Sequence, residues 1–119
     1  MKQFRQNFEK KNEQHLFELE KKRQAIVKIL PDIACDLKKN NVSSILIHGS
    51  ILRSGKFHER SDLDMIIFGA KIRQWYTLSK IVDDYVCPFD INPDVKLSQD
   101  LPPSFIYNVK HLGMPFVIF

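Results

Sequence analysis

Ile45-Leu-Ile-His-Gly49-Ser50, then eleven residues, then Asp62-Leu-Asp64-Met-Ile-Ile-Phe-Gly69, is the stretch that decides how this chain folds. Ser44 to Ile47 is a short apolar run ending at Gly49-Ser50, which predicts a buried strand breaking into a turn. Asp62 to Phe68 predicts a second strand, with two carboxylates at its start and a Met-Ile-Ile-Phe run behind them. Side chains alternate across a strand, so Asp62 and Asp64 project from one face, roughly 7 Å apart along the backbone, and Leu63 points the other way, into a core. Two like charges on one face repel unless a cation sits between them. Hard carboxylate oxygens suit Mg²⁺ or Mn²⁺, and Mg²⁺ is usually held by one or two carboxylates plus substrate phosphates.

The first strand supplies the phosphate end of such a site. A strand running into Gly-Ser and a short helical segment offers backbone N–H groups and a hydroxyl to an anion. Gly49 lets the backbone approach a phosphate without a Cβ in the way. An anion cradle beside a divalent-cation clamp is the apparatus of phosphoryl or nucleotidyl transfer, where positioning and charge neutralisation do most of the catalysis.

The rest of the chain builds a domain around this stretch. At 119 residues it is expected to form one core, and 44% hydrophobic with 27% charged residues is ordinary for a globular protein. The net charge of +4 suits a polyphosphate ligand as well as it suits simple solubility, and direct nucleic-acid binding is not expected. No apolar run approaches the length of a membrane span and no signal-peptide core opens the chain, so a cytoplasmic protein without membrane contact is expected. Cys35 and Cys87, far apart and without metal spacing, predict buried thiols in a reducing compartment.

Residues 2–41 read as helix, with Leu16, Leu19, Ile26, Leu30, Ile33 and Leu37 on an apolar face. Pro31 is expected to kink or divide it, setting a helical extension over 1–30 before a domain over 31–119. Asn40-Asn41 closes the helix. Phe4 and Phe8, among many charges, suit either association or packing on the same domain. A further helix is predicted over Ile72 to Tyr85, with Ile72, Trp75 or Tyr76, Leu78, Ile81, Val82 and Tyr85 inward. Val86-Cys-Pro-Phe-Asp90-Ile91 reads as a third strand, broken at Asn92-Pro93. Pro103 to His111 reads as a last helix, with Gly113 as its C′ residue and an apolar tail, Met114 to Phe119, as a final strand or a docking segment. The fold class is α/β (α+β): a small mixed sheet with helices packed on one side, an acidic site at its edge, and a long N-terminal helix before it. Ser61 suits a turn. His15, His48, His58 and His111 show no metal spacing, and Arg53, Lys56 and Arg60 are loop cations within reach of a phosphate.

Gly49-Ser50, eleven residues, then Asp62-Leu63-Asp64 between apolar runs resembles the signature of the polymerase-beta-type nucleotidyltransferases. Within them the chain is similar to the minimal nucleotidyltransferase (MNT) proteins, often encoded beside HEPN-domain partners as toxin–antitoxin pairs. The resemblance spans roughly residues 32–119 and implies the nucleotidyltransferase fold. It also implies a third metal-binding carboxylate on the next strand, where Asp90 stands. Asp62, Asp64 and Asp90 would then be the catalytic, metal-binding set for Mg²⁺ or Mn²⁺, with Asp90 also a general base. Gly49, Ser50 and Ser61 would hold the nucleotide. The implied reaction transfers AMP from ATP to a hydroxyl and releases pyrophosphate. The implied acceptor is a tyrosine of a HEPN-type toxin, this chain being the antitoxin, and a homo-oligomer is a further possibility. The alternatives are an antibiotic-type transferase acting on a small molecule and a non-catalytic nucleotide-binding subunit. Two features depart from the family pattern: Gly55 falls one residue later than the usual glycine, and His48 replaces an apolar or aromatic residue.

Overall fold

The two strands of the deciding stretch form the centre of the sheet. In the computed structural model, which describes residues 2–112 and 116–118 and the side chains of 13–111, β1 (Ser44–His48) pairs antiparallel with β2 (Leu63–Phe68) in the register Ser44↔Phe68 to His48↔Asp64. β3 (Pro93–Leu97) lies parallel to β2, and β4 (Phe116–Ile118) lies antiparallel to β1. The sheet is therefore mixed, in the order β3-β2-β1-β4. The tail is a strand over 116–118, while Gly113, Met114, Pro115 and Phe119 lie outside the described residues.

One face of the sheet is the core. Ile45 and Ile47 of β1, Leu63, Met65 and Ile67 of β2, and Val95 and Leu97 of β3 alternate inward and are buried. Against them pack α1 (Lys2–Lys38) through Leu19, Ile26, Leu30, Ile33, Ala34 and Leu37, and α2 (Trp75–Val86) through Leu78, Val82 and Val86. On the other face Leu46 and Ile66 are also buried. There α3 (Pro103–Leu112) approaches: the Phe105 ring meets His48 edge-on at 6.2 Å, and the Lys110 ammonium stands 4.9 Å from the Phe68 ring centroid.

The helix is not divided at Pro31. α1 runs through it without a break, and Ile26 and Leu30 before it share one core with Ile33 and Leu37 after it. Proline removes one helical hydrogen bond at a cost of about 3 kcal/mol. Pro31 is exposed, so water can satisfy the carbonyl it leaves, and burying Ile33 and Leu37 returns about 1.5–3 kcal/mol each. Leu16, expected on the inward face, is 56% exposed, as the helix passes the edge of the domain there. The side chains of Phe4 and Phe8 lie outside the described residues. Asn41 ends the helix with a left-handed φ of 63°.

Three other expectations change. Ile72 forms part of a 3₁₀ turn before α2 and is 68% exposed, and Tyr76 is 72% exposed. The third strand does not span residues 86–91: Cys87–Phe89 is a 3₁₀ turn, and the strand starts at Pro93. Both cysteines are free and exposed rather than buried. Among the described residues, no helix is long and apolar enough to cross a membrane.

Candidate functional site

The site is built where β1 ends and β2 and β3 begin. Asp64 on β2 and Asp94 on β3 are register partners, so their side chains leave the same face on neighbouring strands. They share a side-chain hydrogen bond, and Asp62, just ahead of β2, adds its charge from the same face. Burial pushes the Asp64 carboxyl up to about 6, and the charges of Asp94 and Asp62 push in the same direction against a smaller opposing pull from Lys96. Lys96 stands on the same face of β3, with its ammonium 3.3 Å from the Asp94 carboxylate.

The Gly-Ser turn touches this carboxylate group directly. Gly49 has φ +87°, and a Cβ placed there would land on the Asp64 carboxylate, 3.3 Å from its Cγ. Glycine is needed twice at this position, for the backbone conformation and for the approach of Asp64. The turn continues as a 3₁₀ segment, Ser50–Leu52, whose Ile51 is fully buried. Gly55, also at positive φ, has open space where a Cβ would be, so the later glycine lets the loop turn outward and makes no close contact.

A cleft of about 330 Å³ opens beside the turn, lined by His48, Gly49, Ser50, Arg53, Lys56 and Val109. Two cations and a backbone turn thus share one wall, and the carboxylates stand next to it. His48 pairs across the ladder with Asp64. Burial, with help from Lys96, pulls its imidazole below the usual value, which favours the neutral ring.

The expected site residues separate into two groups. Asp62, Asp64, Gly49 and Ser50 come together. Ser61 is buried, and its hydroxyl accepts a 2.9 Å hydrogen bond from the His58 N–H, so it serves the turn before β2. Asp90 is exposed, caps the 3₁₀ turn with a left-handed φ of 54°, and offers its carbonyl to the Lys22 ammonium at 3.3 Å. It lines another cleft, of about 510 Å³, with Lys22, Glu59 and Arg60 among its neighbours. The carboxylate beside Asp64 is Asp94, because the third strand runs over Pro93–Leu97 and not over residues 86–91. Its signal was present: Asp94, Val95, Lys96 and Leu97 alternate polar and apolar, the pattern of a half-buried strand.

The donor set of Asp62, Asp64 and Asp94 is hard oxygen, as Mg²⁺ and Mn²⁺ require. Among the described residues, no group of three or more His, Cys, Asp or Glu side chains is arranged to hold a metal ion. An ion here would need oxygens from a ligand, which is how Mg²⁺ is commonly held in phosphate chemistry. In comparisons with family models and with curated proteins, the chain finds no match to either.

Proposed function

We propose that the chain is a metal-dependent nucleotidyltransferase that moves AMP from ATP to a hydroxyl of a partner protein, in the manner of an MNT antitoxin acting on a HEPN-type toxin. The observation that carries this reading is the pairing of Asp64 with Asp94 in register, in contact with the Gly49 turn and next to the Arg53–Lys56 cleft. The donor set fits Mg²⁺ or Mn²⁺, which when bound would neutralise phosphate charge and lower the pKa of the acceptor hydroxyl.

The chain's own residues divide the remaining work. Gly49 and Ser50 would face the phosphates with backbone and hydroxyl, while Arg53 and Lys56 would neutralise the pyrophosphate end. Asp62, Asp64 and Asp94 would hold the metal ion, whose charge would offset that of the α-phosphate. The acceptor oxygen would form a bond to the α-phosphorus as the bond to pyrophosphate breaks, and its proton would pass to a carboxylate, the role we give to Asp94. Asp94 takes the part that the resemblance assigns to a carboxylate on the third strand. Exposed apolar side chains on α1, Leu16 and Phe17, support a protein as acceptor.

The test is to incubate the chain with the protein encoded beside it, ATP and Mg²⁺, and to weigh both by intact mass spectrometry. A mass increase of one adenylyl group on the neighbour, lost with Asp64→Asn, is the expected result. Labelling of an aminoglycoside with none on the neighbour would move the assignment to a small-molecule transferase.

A further inference from the structure

The buried stripe of α1 carries one charged interruption. Leu19, Ile26, Leu30, Ile33 and Leu37 follow helical spacing, and the position that continues the stripe between Leu19 and Ile26 is Arg23. Its side chain is only 13% exposed. A buried charge on an apolar stripe is the informative exception, because burial disfavours it unless every donor is used. Here each guanidinium nitrogen has an acceptor. Arg23 Nε donates to Glu20 Oε2 at 3.0 Å and Nη2 donates to Glu20 Oε1 at 2.7 Å, a fork-on-carboxylate pair. The remaining nitrogen, Nη1, donates at 2.9 Å to the carbonyl of Ile51. Glu20 in turn accepts the Ser54 hydroxyl at 3.1 Å.

Two of these bonds, Arg23 Nη1 to the Ile51 carbonyl and the Ser54 hydroxyl to Glu20, tie the pair to the loop that follows β1. The Ile51 carbonyl belongs to the 3₁₀ segment Ser50–Leu52, and Ser54 lies just beyond it. Gly49 and Ser50 face the cleft on one side of this turn, while Glu20 and Arg23 are not among the residues that line it. The pair therefore holds the turn from the α1 side, away from the residues that line the cleft.

We propose that Glu20 and Arg23 are positioning residues that hold the Gly49–Ser54 turn in the conformation that receives the triphosphate. This rests on reading the cleft as the nucleotide site. Ile51 anchors the turn in the core, and short-range backbone bonds from Leu52 to Gly49 and from Arg53 to Ser50 shape it. Arg53, Ser54 and Lys56 are exposed, however, and Gly55 has open space where a Cβ would be, so the outer part of the turn relies on the Ser54 and Ile51 bonds to Glu20 and Arg23. Loose turns bind poorly, because ordering them is charged against the ligand. A turn held by a planar fork is already ordered, and a lysine at position 23 could not bridge both acceptors with the same geometry.

Arg23→Met alone would strand Glu20 in a partly buried place, so a loss of affinity could reflect damage to the fold. The double variant Glu20→Gln/Arg23→Met removes both charges, keeps the side-chain volumes, and restores much of the stability that the single change loses. Three quantities are measured on the full chain: the melting temperature, Mn²⁺ binding by electron paramagnetic resonance, and Mg·ATP binding by calorimetry. The expected result is a double variant that melts near the wild type, binds Mn²⁺ as the wild type does, and binds Mg·ATP about tenfold more weakly. Wild-type Mg·ATP affinity in that variant would overturn the positioning role while leaving the nucleotide site intact. A wild-type protein that binds no Mg·ATP would instead remove the nucleotide site and the positioning role with it.

Discussion

The two faces of β1 and β2 use the same strands for opposite ends. On the α1–α2 face, Ile45, Ile47, Leu63, Met65 and Ile67 are shut into a dry core. On the other face Leu46 and Ile66 are buried at mid-sheet, but the end of the sheet carries His48, Asp64 and Asp94, half-buried and crowded with like charge. One residue of shift along either strand separates a packing position from a chemical one. The stability gained on the first face is what allows a strained, self-repelling group on the second.

Breaking the core face should have the largest effect. Ile67→Ala, at a fully buried site, is expected to destabilise the protein by about 2–5 kcal/mol in denaturant titration, mostly without touching metal affinity in the fraction that remains folded. Gly49→Val comes next, since it forces a branched residue to positive φ and drives a Cβ onto the Asp64 carboxylate. A loss of about 1–3 kcal/mol is expected, together with loss of Mg·ATP binding. A variant that keeps both would make the turn a simple corner.

Asp64→Asn should move stability the other way and by less. The Asp64 carboxyl is pushed up to about 6 in the fold against 3.8 ordinarily, so as pH rises the unfolded chain gives up this proton first. The group therefore costs stability progressively from about pH 4 to pH 6 and keeps that cost above it. Removing the charge should stabilise the ligand-free protein at pH 7 by about 1 kcal/mol, the half-exposed position and screening holding it to that size. Thermal melts of the two proteins should coincide near pH 3.5 and diverge by pH 7. Divergence in the opposite sense would contradict the crowding of Asp64 by Asp94 and Asp62.

The same contrast explains what the sequence made legible. β1, β2 and the glycine turn announce themselves because apolar runs and a turn residue act locally. The third strand was hidden by a decoy: Val86 to Ile91 is apolar enough for a strand, but Pro88 suits a 3₁₀ turn and Asp90 adopts a left-handed backbone. The real strand opens on Pro93, a residue tolerated at the first position of an edge strand, and Asn92 already offers its carbonyl to the Leu63 N–H at 3.0 Å. Pro31 misleads for the opposite reason, since tertiary burial on both sides outweighs a local breaker. Arg23 interrupts the apolar stripe of α1, but what it holds is not legible locally, as its acceptor at Ile51 lies 28 residues away.

The proposed metal and nucleotide binding rests on the Asp64–Asp94 pair and not on the turn at Asp90. Calorimetric titration of Mg·ATP into Asp94→Asn and Asp90→Asn, side by side with the wild type, tests it most directly. Asp94→Asn is expected to abolish metal-dependent binding, and Asp90→Asn to bind as the wild type does. Binding retained in Asp94→Asn and lost in Asp90→Asn would contradict it.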